Sequence, residues 1–151
     1  MNEASRQNLF EQLKIDEGVK YEIYLDHLGL PTFGVGHLIR NSDPEHGQEV
    51  GTEVSEDRVA EIFEKDLDTC ITECVELYGQ EQWDGFPDEV QEILANMMFN
   101  MGRNRLGKFK MMNAALAEGD WADAAVQGRD SLWYRQVTNR AERLMGRLEA
   151  V

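Results

Sequence analysis

The sequence predicts an α+β fold, mostly helical, in which a short sheet near the N-terminus precedes a long helix and then a group of shorter helices. Three observations predict it. Tyr21, Ile23 and Leu25 alternate with Glu22, Tyr24 and Asp26, as in a half-buried strand; apolar residues from Val59 to Tyr78 follow helical spacing; and the runs after Pro87 keep that spacing. The 151 residues suit one domain, or two small lobes on one chain, and 42% hydrophobic residues supply enough apolar material for a packed core.

Taken in order, Ser5 is expected to cap a first helix whose Leu9, Phe10 and Leu13 share a face, with Gly18 as its stop. Glu17 therefore falls at a helix end. A hairpin or small sheet follows, running through Leu25, turning at His27 to Gly29 and resuming from Pro31 through Phe33 and Val35. Residues 40–52 are polar, with Asp43-Pro44 and Gly47 as loop punctuation. Ser55 caps the long helix, expected over 56–79; about 24 residues at 1.5 Å each give about 36 Å, enough to link an N-terminal lobe (about 1–55) to a C-terminal lobe (about 80–151). Asp66 lies within its apolar stripe, where a carboxylate needs either a partner or a route to water. Pro87 opens a core helix carrying Val90, Ile93, Leu94, Met97, Met98 and Met101, closed by Gly102. After a turn at Arg103 to Gly107 come helices over 108–117, over 121–127 with Asp120 as cap, and after Thr138.

Charge is strongly asymmetric. The chain carries 15 Lys and Arg against 29 Asp and Glu, a net −14, which argues against nucleic acid and against anionic membrane surfaces as partners. From Asp43 to Glu76 there are 12 acids and 2 bases, whereas from Arg103 to Arg147 there are 9 bases and 5 acids. The acidic block reads most simply as a solvated face. Charges are spread through the first twenty residues and no apolar run has the length of a signal or anchor, so synthesis in the cytoplasm without stable membrane insertion is expected. Cys70 and Cys74, four apart on the long helix, suit small core residues better than a disulfide, and no Cys or His cluster suggests a metal site.

Paired carboxylates are the main candidates for chemistry. Glu17 ends a helix and Asp26 ends a strand nine residues later, where a tight fold-back can aim both at one place; two carboxylates in unlike surroundings can divide the roles of acid and base.

The residues around them carry a resemblance. Ile15-Asp16-Glu17-Gly18, Tyr24-Leu25-Asp26 and the run Gly29-Leu30-Pro31-Thr32-Phe33-Gly34-Val35-Gly36-His37-Leu38 keep the order Glu, nine residues to Asp, six to Thr, five to His. With Phe63-Glu64-Lys65-Asp66, Asn96 to Gly102, Trp121 with Ala124-Ala125-Val126, and Trp133-Tyr134 with Gln136 and Asn139-Arg140-Ala141, the chain resembles the phage lysozyme family, glycoside hydrolase family 24, over nearly its whole length. The resemblance implies a lysozyme-like fold and hydrolysis of the β-1,4 bond between N-acetylmuramic acid and N-acetylglucosamine in peptidoglycan, with no cofactor. Glu17 would protonate the glycosidic oxygen while Asp26 and Thr32 hold the attacking water, with inversion at the anomeric carbon. His37 and Asp66 would form a buried structural pair. Leu38, Phe99 and Gln127 match positions that line the saccharide cleft, although Gln127 replaces Asn and Met112 replaces a small hydroxyl residue there. Trp121 and Trp133 read as core anchors. Arg140, Arg143 and Arg147 would either meet stem-peptide carboxylates or form a solvated, salt-bridged face.

In biological terms the resemblance implies an endolysin: a monomer made in the host cytoplasm that reaches the periplasm with the help of a holin and acts there on glycan strands. The expected absence of a second wall-binding module suits a thin wall. A lytic transglycosylase on the same fold, or an inactive wall-binding protein, are the alternatives; retained Asp26 and Thr32 speak for hydrolysis, and retained Glu17 against inactivity.

Overall fold

The computed structural model describes residues 1–151, folded as eight helices and a three-stranded sheet. Helix α1 (Glu3–Asp16) is capped by Asn2, whose Oδ1 accepts the Ser5 N–H at 2.8 Å. Ser5, the cap expected from sequence, lies inside the first turn and is buried. The helix starts earlier because the Arg6 N–H already reaches the Asn2 carbonyl at 3.0 Å.

Strands β1 (Lys20–Leu25), β2 (Pro31–Gly34) and β3 (His37–Leu38) form an antiparallel sheet in that order. Tyr24 pairs with Thr32 and Thr32 with Leu38, while Phe33 pairs with His37. The segment from Pro31 to Val35, read as one strand, ends at Gly34; Val35 and Gly36 turn the chain into β3, which two residues are too short to announce. The free edge of β1 is covered by the returning loop: Val54 N–H donates to the Tyr21 carbonyl at 2.9 Å and Ile23 N–H to the Thr52 carbonyl at 2.9 Å. Ser55 caps α2 (Glu56–Tyr78), its Oγ accepting the Arg58 N–H at 3.1 Å.

Two compact units divide the chain, one of residues 10–69 and one of residues 1–9 with 70–151, so that α1 and α2 each contribute to both. The 10–69 unit buries Leu13, Ile23, Phe33, Val59, Phe63 and Leu67, with the Phe10 and Phe63 rings stacked at 4.5 Å. These apolar positions on α2 recur at three and four residues, which is why that face is buried.

The second unit comprises α3 (Gln80–Gly85), α4 (Asp88–Gly107), α5 (Lys110–Ala117), α6 (Trp121–Arg129), α7 (Leu132–Gln136) and α8 (Thr138–Glu149), with the ends of α1 and α2. From Val90 to Met98 every residue of α4 is buried, polar ones included, so it is the core helix. Its polar groups are paired: Gln91 Nε2 donates to the Trp83 carbonyl at 2.8 Å and Asn96 Oδ1 accepts from Arg140 Nε at 2.9 Å. Gly102, at φ 80°, breaks α4 where a stop was expected, but residues 103–107 continue as helix rather than as a turn. Ala141, Leu144, Met145 and Leu148 of α8 are buried, each of the larger ones contributing on the order of 2 kcal/mol. Cys70 and Cys74 are buried free thiols, and no helix is long and apolar enough to cross a membrane.

Candidate active site

Glu17 follows α1 directly, its N–H completing the last turn on the Leu13 carbonyl at 2.8 Å. Gly18 then takes a positive φ of 77° and releases the chain into β1, which leaves the Glu17 side chain exposed at the junction. Asp26 stands just past the other end of β1 and closes the turn to β2. Its Oδ1 accepts two backbone N–H groups, Leu28 at 2.8 Å and Leu30 at 2.9 Å, an arrangement Asp makes readily because its carboxylate reaches the amides two and four residues on. Oδ2 makes no hydrogen bond to the protein.

Thr32 is tied to the same turn. It is buried, and its Oγ1 donates to the Leu30 carbonyl at 2.9 Å. Leu30 thus holds Asp26 through its N–H and Thr32 through its carbonyl. With its proton given to Leu30, the threonine oxygen can only accept from a further partner. Glu17 and Asp26 also act together on one group, the Tyr24 phenol: burial first, then the charges of Asp26 and Glu17, raise it above its ordinary value.

Leu38, on β3, is exposed and directly opposite Thr32. Phe99 lies half-buried on α4 and Gln127 half-buried on α6. Gln127 lines a cavity of about 310 Å³ with Phe109, Met112 and Ser131, and its Nε2 is 3.4 Å from Asp123 Oδ1; Phe99 does not line that cavity. The two tryptophans pack: Trp133 is buried with Nε1 donating to Asn100 Oδ1 at 2.8 Å, and Trp121 meets the Phe86 ring edge-on at 6.1 Å. Arg147 is engaged by Glu89 and Glu92, and Arg140 by Asn96.

On the opposite face of the sheet, His37 is buried with Nδ1 2.7 Å from Asp66 Oδ2. Asp66 therefore meets a partner. A second carboxylate, unforeseen from sequence, stands on the other ring nitrogen: Nε2 is 2.7 Å from Asp43 Oδ2. Carboxylates only accept, so both contacts are satisfied at once by the imidazolium, which donates from both nitrogens. Burial alone would lower the imidazole, but the hydrogen bonds and charges of Asp66 and Asp43 outweigh it and hold His37 above its ordinary value. Asp43 is lowered, burial being outweighed by the Arg40 N–H, His37 and the Arg58 charge. The one sequence signal was Asp43-Pro44, which reads as a turn and says nothing of a ligand for histidine.

The phage lysozyme family model matches residues 14–149. The chain is 31% identical, over 94% of its own length and 94% of the relative's, to "Probable T4-type lysozyme 2" of Dictyostelium discoideum. It is 32% identical over 95% of its length to the "Pre-baseplate central spike protein Gp5" of Enterobacteria phage T4, of which it spans only 28%. It is 27% identical to the "Peptidoglycan hydrolase gp36" of Pseudomonas phage phiKMV, covering 15% of that protein.

Proposed function

The chain belongs to the phage lysozyme family and is thus a glycosidase of lysozyme type, and from that premise we propose that it hydrolyses the β-1,4 bond between N-acetylmuramic acid and N-acetylglucosamine in peptidoglycan, as an endolysin acting in host lysis. The observation that carries the mechanism is the turn between β1 and β2, which commits Asp26 Oδ1 to two amides and the Thr32 proton to the Leu30 carbonyl. What remains is one carboxylate oxygen and one hydroxyl oxygen, two accepting atoms. A water molecule has two protons to give. Donating one to Asp26 Oδ2 and one to Thr32 Oγ1, it keeps a lone pair for the anomeric carbon.

Glu17, protonated in the reactive state, gives its proton to the glycosidic oxygen as the C1–O bond breaks. The water oxygen bonds to C1 from the opposite face, and its proton passes to Asp26. The negative charge of Asp26 favours the oxocarbenium-like transition state, and attack opposite the leaving group converts the β-linkage into an α-product. Solvent then restores the proton to Glu17 and removes it from Asp26. Leu38, Phe99 and Gln127 would contact the sugar chain. A lytic transglycosylase needs no water site, so the paired acceptors favour hydrolysis over that alternative.

The deciding experiment is clearing of bacteria stripped of their outer membrane, parent against Glu17→Gln. We expect a loss of at least about 100-fold in rate on removing a general acid; equal clearing by both would refute the assignment. Proton NMR of the first product sets inversion against retention. For delivery we propose synthesis in the host cytoplasm and holin-assisted passage to the periplasm, tested by lysis timing with and without a co-expressed holin. A second reading, action as part of a virion, draws on the match to a spike protein; finding the chain in washed particles by mass spectrometry would favour it.

A further inference from the structure

Tyr24, Thr32 and Leu38 lie directly opposite one another on the three strands. Opposite residues of antiparallel strands point to one face, so these three form a row. Two members of that row have been given tasks, the water and the sugar; Tyr24 has none. β1 reaches it through an irregularity of pairing between Lys20 and Tyr24, the kind of bulge that re-aims a side chain.

The surroundings of this ring are unusual for a structural tyrosine. Lys20 Nζ sits over its face, 4.4 Å from the centroid, and steadies the ring. The side chain is half-buried, yet no protein group hydrogen-bonds its hydroxyl, which tyrosines usually satisfy as they become buried. Burial first, then the nearby Asp26 and Glu17 carboxylates, raise this phenol above its ordinary value, so the hydroxyl keeps its proton at neutral pH. The result is a neutral O–H donor, held in place and unused, beside both reacting carboxylates.

We propose that Tyr24 is a substrate-contacting residue, its hydroxyl donating a hydrogen bond to a hydroxyl or acetamido oxygen of the glycan at the bond that is cleaved. The proposal rests on the glycan-hydrolase reading above and adds a specific donor to it. Glycan oxygens are the acceptors that reading supplies, and a donor fixed by Lys20 and by strand pairing is ready before the sugar arrives.

Tyr24→Phe removes one oxygen and keeps the ring and the Lys20 contact. On soluble glycan fragments, kcat/KM should fall about 10- to 100-fold with the melting temperature unchanged, the size expected for one lost donor in a desolvated site. In a Glu17→Gln background, where turnover should be slowed at least about 100-fold, Tyr24→Phe should weaken binding of the same fragments about tenfold by calorimetry. That binding arm reads the proposal even if the parent proves inactive on peptidoglycan, which would instead overturn the hydrolase reading. Activity and binding within about twofold of the parent, or losses that follow a fall in melting temperature, would overturn the role of Tyr24.

Discussion

Asp43 Oδ2 lies 2.7 Å from His37 Nε2, on the far side of the ring from Asp66. The imidazole is therefore a clasp between the loop after β3 and helix α2, and it works only while charged. Burial without a charge would leave one of its nitrogens facing a carboxylate with no proton to share.

Asp43→Asn should cost about 2 kcal/mol near neutral pH, in the range for a hydrogen bond to a charged group. The sign of its pH dependence follows from two shifts. His37 is raised above 6.5, so its contribution is complete below that value and fades as pH rises through the folded-state value. Asp43 is lowered below 3.8, so its contribution is complete above that value and fades as pH falls through the folded-state value. Parent and variant should differ most at about pH 4 to 6.5 and converge in alkali. Urea unfolding within that range and again in alkali checks it, and a gap that widens in alkali would contradict it. Asp66→Asn should likewise lower the melting temperature while cleavage of glycan is largely kept.

Arg58 makes a second anchor for the same loop. Its Nε and Nη2 each lie 2.9 Å from an oxygen of Glu45, which is 8% exposed. Arg58→Met strands that carboxylate and should cost about 3 kcal/mol, whereas the double change Arg58→Met with Glu45→Met should recover most of the loss. Glu45 is lowered chiefly by its Arg58 hydrogen bonds, so the pair stabilises above 4.5 and its contribution is lost as pH falls through the lowered value. Thermal melts of both variants should therefore approach the parent as pH falls through that lowered value. A double variant no better than the single one would argue that packing, not charge, sets the loss.

Gly34 and Gly36 separate two costs of adding a methyl group. Both have positive φ, 66° and 65°. A Cβ at Gly34 would lie 3.2 Å from Val59 Cγ1, a buried β-branched side chain, whereas at Gly36 nothing stands within 4 Å. Gly36→Ala should cost about 1 kcal/mol from backbone conformation alone. Gly34→Ala should cost about 2 to 3 kcal/mol because overpacking adds to it. It should also lower activity, since Gly34 is two residues from Thr32. Equal melting temperatures for the two variants would refute the close contact with Val59.

Sequence periodicity reaches those parts of the fold that are long enough to have a period. The buried face of α2 and the burial of α8 follow from it, as does the placing of Glu17 and Asp26 at element ends. It does not reach β3, α3 or α7, whose two, six and five residues are fixed by neighbours rather than by their own pattern. The Asp26 to Thr32 turn was visible because short polar side chains and Gly29 define it locally. Asp43 and Tyr24 were not, because each owes its part to a contact across the fold: Asp43 reads as a turn residue and Tyr24 as an ordinary strand former.

The same contrast governs the charge. Arg103 to Arg147 reads as a basic segment, yet Arg103 pairs with Glu76, Arg129 with Glu142 and Glu149, and Arg147 with Glu89 and Glu92. Much of the local positive excess is thus spent within the fold, and the net −14 faces an anionic wall. Long-range attraction cannot then drive binding, and screening should help by weakening repulsion over a Debye length of about 8 Å at physiological salt. We expect the initial rate on wall fragments to stay level or rise between about 10 and 150 mM salt, a range over which that length shortens several-fold. A steep fall over that range would instead show that a patch of unpaired basic residues captures the substrate, and neutralising Lys108 and Lys110, which line the Gln127 cavity without a salt-bridge partner, should then abolish the salt dependence.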